Sequence, residues 1–259
     1  MAFDLARFSA LLKTESLGRK VFHFGSLPSS MDTAFELAAQ GAPPGSLIIA
    51  DEQTAGRGRR GRDWLSHKDC GLWFSLMLRP PHRRALIGLV SPATALTLAM
   101  VLQEDLGLPA RTKWPNDVRL RGRKIAGVLV ETRRQPRAMV IGIGLNLRLP
   151  SALPPELAEQ ITALEAECTE CPAPENLLAN ILYRLEGTVN LCHCGAAAPL
   201  VTDWQEYDDF YQQQVEVKVG AQTIVGTDLG ISHKGHLLLE TTAGLKAVSG
   251  GEITTLRPE

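Results

Sequence analysis

An excess of either charge is missing from this sequence. Its 259 residues carry 27 Lys and Arg against 28 Asp and Glu, a formal net charge of -1. The chain as a whole therefore presents no field that would draw nucleic acid or anionic lipid, and such a role would need a local patch. Long apolar runs are missing too. The longest, around residues 85–102, is interrupted by Gly88, Ser91, Pro92 and two threonines, short of a membrane span. Residues Met1–Arg19 contain no continuous apolar stretch ending in a small-residue cleavage site, so no signal peptide is expected. These absences point to a cytoplasmic protein with no membrane partner.

An even set of cysteines is also lacking. Cys70, Cys168, Cys171, Cys192 and Cys194 are five, and in a cytoplasmic chain reduced thiols are the first expectation. Four of them, with His193, could be drawn as a C-x-x-C…C-H-C zinc site. The segment between the clusters argues against it. Residues Pro174–Leu191 read as one helix, with Pro174 suited to the first turn and Leu177, Leu178, Ile181, Leu182 and Leu185 forming an apolar stripe. At about 1.5 Å per residue it would hold the clusters roughly 27 Å apart, more than one metal spans. No structural zinc is expected.

What is present is ordinary globular material, 44% hydrophobic and 21% charged, enough for one large domain or a large one plus a small one. Ser29 and Ser30 offer N-cap hydroxyls to a short helix, Asp32–Gln40, ended by Gly41 and Pro43-Pro44. Leu47–Ala50 and Leu72–Leu78 have strand character, and Gly56–Arg62 between them cannot be regular structure. Arg83–Leu106 is the strongest helix, apolar widely enough to be buried on much of its surface. Lys124–Arg133 and Ala138–Leu147 read as a hairpin turning at residues 134–137, followed by helices Pro174–Leu191 and roughly Ala197–Gln212. From Val215 the period becomes two, with short glycine-separated strands suggesting a small β-barrel. The boundary is placed at 213/214, giving units 1–213 and 214–259.

Three segments carry the chemistry. Gly56-Arg57-Gly58-Arg59-Arg60-Gly61-Arg62 interleaves arginine forks with glycines, a composition that suits carboxylate or phosphate oxygens. Alone it reads about equally as a small-anion loop and a nucleic-acid arm, the plainest alternative being a solvated basic loop. Lys113-Trp114-Pro115-Asn116-Asp117 packs a rigid turn, an amide and a carboxylate into a few residues, and Lys124 opens an apolar strand containing Gly127. Taken alone, Lys124 is a solvated strand end. Gly142 and Gly144 lie inside a strand, where glycine costs stability and signals close approach of something flat, or a bulge.

Together these segments closely resemble the biotin–protein ligase family. The G-R-G-R-R-G loop is matched at Gly56–Gly61, K-W-P-N-D at Lys113–Asp117, K-x-A-G-x-L-x-E at Lys124–Glu131 and G-x-G-x-N at Gly142–Asn146, in the family's order and spacing. The resemblance runs from about Ser26 to the C-terminus. It implies an α/β fold of the α+β type, a mixed-sheet biotin/lipoate-ligase catalytic domain followed by an SH3-like β-barrel. The implied reaction has two steps. Biotin and ATP give biotinyl-5′-AMP, and a lysine of a biotin carboxyl carrier protein then takes the biotin.

Residue roles follow from the same resemblance. Arg57, Arg59 and Lys124 are expected on the reacting carboxylate and phosphate oxygens. Arg60, Arg62, Trp64, Asn116 and Asn146 are expected around ATP. Ser29, Ser30, Gln53 and Gly56, with the floor Gly127, Gly142 and Gly144, are expected around biotin. Asp117 would orient the acceptor amine or help hold Mg2+ brought by ATP. The family commonly reads Ser-Thr-Asn where this chain has Ser29-Ser30-Met31, and methionine cannot replace an asparagine amide. About twenty-five residues precede the match, too few for a helix-turn-helix module, so a monofunctional ligase without DNA binding is expected. Relatives occur as monomers and as dimers, so a homodimer is possible.

The rivals are a lipoate–protein ligase of the same superfamily, a nucleic-acid-binding protein using the Gly/Arg loop, and a binding module without catalysis. The loop and the K-W-P-N-D turn favour biotin. Balanced charge and a shortage of aromatics near the loop, apart from Trp64, count against nucleic acid.

Overall fold

The computed structural model describes residues 3–80 and 87–255. Seven strands form one mixed sheet: β1 (Val21–Phe24), β2 (Ser46–Ala50), β3 (Gly71–Leu78), β4 (Ala110–Lys113), β5 (Asp117–Leu120), β6 (Arg123–Arg134) and β7 (Arg137–Asn146). Their order is β1-β2-β3-β7-β6-β5-β4, with β1 and β2 parallel and every other pair antiparallel.

Period-two alternation decides what each face of this sheet meets. From β7, Met139, Ile141, Ile143 and Leu145 enter the main core, joined by Leu47 and Ile49 of β2 and by Leu72, Phe74 and Leu76 of β3. Helices α1 (Leu5–Leu11), α3 (Ile87–Met100), α6 (Pro174–Cys194) and α7 (Ala198–Tyr207) contribute to the same core, and two single-turn helices, α4 (Pro155–Ala158) and α5 (Leu164–Glu167), lead from β7 to α6. Helix α2 (Ser30–Ala39) covers part of the opposite face, where Met31, Ala34 and Phe35 pack on Ile48, Met77 and Val140. The remainder of that face holds the glycines of β6 and β7.

Helix α3 has apolar residues on every side because it is enclosed. It continues as a π-helical turn, Val101–Asp105, and residues 83–86 of the expected helix lie outside the described residues. Among the described residues, Ile87–Asp105 is the one helix long and apolar enough to cross a membrane, but it is mostly buried within the fold. It is a core helix here. Helix α6 runs three residues beyond the expected Leu191, to a C-cap at Gly195 in the left-handed conformation. Helix α7 stops at Tyr207, short of the expected Gln212. Asp208 leaves helical backbone, and its carboxylate accepts from Trp204 Nε1 at 2.8 Å and Phe210 N at 3.1 Å.

Five further strands, β8 (Gln214–Val219), β9 (Gln222–Ile231), β10 (Leu237–Thr241), β11 (Gly244–Val248) and β12 (Glu252–Thr255), form an antiparallel sheet ordered β11-β10-β9-β8-β12. With β11 and β12 at opposite ends, the pairings among the described residues give an open sheet rather than a closed ring. Its β9–β10 turn docks on α3. Gly235 (φ +75°) sits so close to Gly88 that a Cβ there would be 2.4 Å from the Gly88 carbonyl oxygen. Pro92, four residues on, lacks the N–H that would normally bond that carbonyl. Trp114 Nε1 donates to Gly235 O at 3.0 Å, completing the seam.

Candidate active site

Four residues lie directly opposite one another across the sheet: Gly144 on β7, Gly127 on β6, Asp117 on β5 and Lys113 on β4. Directly opposed residues share a face, so the row passes from a floor without side chains to a carboxylate and then a cation. Strand spacing of about 4.8 Å makes the row roughly 14 Å long. A second row places Gly142 between Ser75 and Leu129. Above this face lies a cleft of about 480 Å³, bounded by the Gly/Arg loop, the start of α2, residues 157–161 and the tip of the small sheet.

The glycines admit side chains from above. A Cβ on Gly144 would be 2.3 Å from Trp64 Nε1, one on Gly127 2.8 Å from the Trp64 ring, and one on Gly142 2.6 Å from Met31 Sδ. The Trp64 indole therefore lies flat on Gly127 and Gly144. Its Nε1 is buried with no hydrogen-bond partner among the described residues, which leaves a donor for an incoming group. Lys124 Nζ stands 4.9 Å from the Trp64 ring centroid and 2.6 Å from Asp117 Oδ1. Its backbone binds the far wall, donating to Gln160 O and accepting from Thr162 N, both at 2.8 Å.

The loop is tied on three sides. Arg57 reaches Asp32 on α2 at 3.0 Å and Glu131 on β6 at 3.1 Å. Arg59 donates to Asn116 Oδ1 at 3.1 Å and Gly251 O at 3.4 Å. Arg60 lies 3.7 Å from Glu252 of β12, which also takes a two-pronged contact from Arg62. The Arg62 bond holds the Glu252 carboxyl below its ordinary range. Burial, then the like charge of Arg60, lowers the proton affinity of Arg59, against the pull of Asp117 and Glu252. The segment is not wholly irregular, since Arg59–Gly61 makes a 3-10 turn and Arg57 bridges Asp63.

Of the residues singled out by sequence, Ser29, Ser30, Gln53, Arg57, Arg59, Arg60, Arg62, Trp64, Asn116, Asp117, Lys124, Gly127, Gly142, Gly144 and Asn146 all line the cleft. Gly56 does not; it packs under the loop, where a Cβ would be 2.4 Å from Trp64 O. The serines do not cap α2 with their side chains. Ser30 Oγ instead shares a buried 2.8 Å hydrogen bond with Ser75 Oγ, and Ser30 N donates to Gln53 Oε1 at 2.8 Å. Asn116 and Asn146 spend an amide N–H on Val128 O and Thr162 O, at 2.9 and 3.0 Å, so both also brace the walls.

Lys113, Arg119, Gln160, Ile161, Gly251 and Glu252 also line the cleft, with no role expected from the sequence. Lys113 was visible inside the K-W-P-N-D block. Glu252, the first residue of β12, and residues 160–161 carry no motif. Cys168 and Cys171 bring their sulfurs to 2.6 Å at one end of α6, while Cys192 and Cys194 lie at its other end. Burial first, then Cys171, pushes the Cys168 thiol up to about 12.

Comparison with known proteins supplies relatives for this arrangement. Residues 24–147 match the Biotin/lipoate A/B protein ligase family, and residues 212–254 match the Biotin protein ligase C terminal domain. The bifunctional ligase/repressor BirA of Bacillus subtilis is 33% identical over 246 residues, covering 93% of this chain and 76% of that protein. The biotin--[acetyl-CoA-carboxylase] ligase of Mycobacterium tuberculosis is 31% identical over 230 residues, 85% of this chain and 83% of that one. Among solved structures, the biotin protein ligase of Aquifex aeolicus in complex with biotin and ATP superposes with a TM-score of 0.78. It is 27% identical and covers 91% of this chain and 98% of its own.

Proposed function

Starting from this chain's membership of the biotin/lipoate A/B protein ligase family, we propose that it is an ATP-dependent biotin–protein ligase. It makes biotinyl-5′-AMP and passes the biotin to a lysine of a biotin carboxyl carrier protein. The observation that carries this is the Lys124–Asp117 pair standing between a glycine floor and an arginine loop in one cleft. The C-terminal match and the relatives' names favour biotin over lipoate. The catalytic unit is taken as residues 1–213 and the C-terminal unit as 214–259. The reading implies the cytoplasm, where ATP and reduced thiols are found.

The first step brings two anions together, so positive charge must lie where negative charge builds up. A biotin carboxylate oxygen attacks the α-phosphorus of ATP, and the bond to the β-phosphate breaks. Lys124 neutralises the oxygens around that phosphorus. Arg57 and Arg59 exchange their present partners for the carboxylate and phosphate, and the closed loop shields the mixed anhydride from water. Biotin's ring system lies along the Gly142–Gly144 floor, with Ser30 and Gln53 at its polar end. The adenine lies by Trp64, Asn146 and residues 160–161. Trp64 must shift or stack to admit them.

In the second step the carrier's lysine amine attacks the acyl carbon and AMP leaves. Asp117, held on the row beside Lys124, orients that amine. Magnesium accompanies ATP in this reading and would screen phosphate charge. Among the described residues no cluster of three acidic, histidine or cysteine side chains is present to hold a metal. Phosphate oxygens would therefore supply most of its ligands, with Asp117 contributing one carboxylate.

The test is mass spectrometry of a biotin carrier domain after incubation with the protein, Mg-ATP and either biotin or lipoate. A biotin-sized shift on the acceptor lysine, lost in Lys124→Ala, is the expected result. A lipoyl shift would move the chain to the other branch of its family. No shift with either acid would leave a binding protein.

A further inference from the structure

The cations lining the cleft are not equivalent. Arg57 is paired with Asp32 and Glu131, Arg60 and Arg62 with Glu252, Arg119 with Asp209, and Lys124 with Asp117. Arg59 is hydrogen-bonded to Asn116. Lys113 is the exception. Its ammonium makes no hydrogen bond or ion pair among the described residues, although the residue is partly buried and lines the cleft. Burying a cation without a partner is costly, and burial, followed by the like charge of Arg119, lowers its proton affinity, with Asp117 and Glu252 only partly opposing. A site that tolerates this is built for an anion that arrives later.

The row across the sheet says which anion. Gly144 and Gly127 form the floor, Asp117 with Lys124 follows, and Lys113 stands one strand further, at the edge. On the adenylation reading above, on which this inference rests, the reacting carboxylate and α-phosphate lie at Lys124. In an in-line displacement the leaving group departs on the side away from the nucleophile. The acid comes from the glycine floor, so departure runs towards β4, and adjacent strands about 4.8 Å apart bring Lys113 within side-chain reach of the next phosphate.

We propose that Lys113 is a catalytic residue of the first half-reaction, receiving the β- and γ-phosphates of ATP and neutralising the pyrophosphate as it leaves. As the α-phosphorus gains its bond to the carboxylate oxygen, the electron pair of the broken bond passes to the bridging oxygen of pyrophosphate. Lys113 stabilises that new charge. The second half-reaction releases AMP and has no use for it.

The half-reactions separate this role from a structural one. Lys113→Met and Lys113→Arg in the full chain are assayed for adenylate formation from biotin and Mg-ATP, for inhibition by added pyrophosphate, and for transfer from preformed biotinyl-5′-AMP to a carrier domain. Lys113→Met is expected to slow adenylate formation by at least about tenfold and to weaken pyrophosphate inhibition, with Arg restoring part of both. Transfer from the preformed adenylate should stay within about twofold of the parent, which also certifies the fold. Equal loss in both half-reactions, or loss in neither, overturns the proposal. A parent chain that makes no adenylate at all overturns the ligase reading beneath it.

Discussion

The Trp64 indole rests on Gly144 so closely that a single methyl group at that position would come within 2.3 Å of Nε1. The glycine is thus a seat for an aromatic side chain that also borders Lys124. Gly144→Ala should lift Trp64 from the floor. Tryptophan emission should change in the free protein, and the KM for biotin should rise by about tenfold or more, because new bulk stands where a flat ligand must lie. Unchanged emission and KM would mean that the indole does not occupy this seat in solution.

Met31 closes the other end of the floor, against Gly142 and within the apolar cluster of Phe35 and Ile48. It is 4% exposed. Restoring the family's usual residue with Met31→Asn would place an amide among apolar side chains and remove the sulfur's packing. A loss of about 2 kcal/mol in denaturant unfolding is expected, against less than about 1.5 kcal/mol for Met31→Leu. If Asn proves neutral, a polar partner must exist at this point in solution.

Glu252 joins the last strand to the Gly/Arg loop through Arg60 and Arg62. Arg62 is 65% exposed on its side chain, so the pair adds at most about 1 kcal/mol to stability. Glu252→Gln should barely move the melting temperature. It should, however, speed escape of biotinyl-5′-AMP from the enzyme several-fold, since the loop loses its charged tie to the small sheet and keeps only backbone contacts there. Adenylate release measured by rapid filtration checks this, and an unchanged rate would show that the tie does not govern the loop.

Asp228 of β9 and Asp208 at the end of α7 face each other electrostatically across the seam between the two sheets. Burial first, then the like charge of Asp208, pushes Asp228 up to about 8. Burial also pushes Asp208 up to about 6, against the bonds from Phe210 and Trp204. The folded chain therefore holds protons that the unfolded chain has lost, and stability falls as pH rises from about 4 to about 8. Asp228→Asn removes the ionisable group. It should stabilise the protein by about 1–3 kcal/mol at pH 9 and by less at pH 5, read from urea unfolding at both pH values. A pH-independent difference would contradict the burial of an ionisable Asp228.

Much of the fold was legible because it rests on local pattern. Two runs rich in Val, Ile and Leu with a polar turn between them made the β6–β7 hairpin readable, and the leucine stripe after Pro174 did the same for α6. Elements whose form depends on neighbours were less readable. The pattern ran α7 on to Gln212, but a buried carboxylate at Asp208 ends it sooner. Strands β1 and β4 are four residues each and are fixed by pairing rather than by any period of their own.

For the site, the sequence by itself determined the chemical inventory. The loop arginines, Lys124, Asp117 and the glycines are residue types whose charge or absent side chain suits the joining of two anions over a flat surface. Tertiary structure alone decided the arrangement. Register across β7, β6, β5 and β4 aligned Gly144, Gly127, Asp117 and Lys113 on one face, because opposed residues in antiparallel strands point the same way. It also seated Trp64 on that floor, left Lys113 without a partner among the described residues, and brought Glu252 to residues about 190 positions earlier in the chain. No local period encodes such contacts, since they arise only when distant segments are packed together.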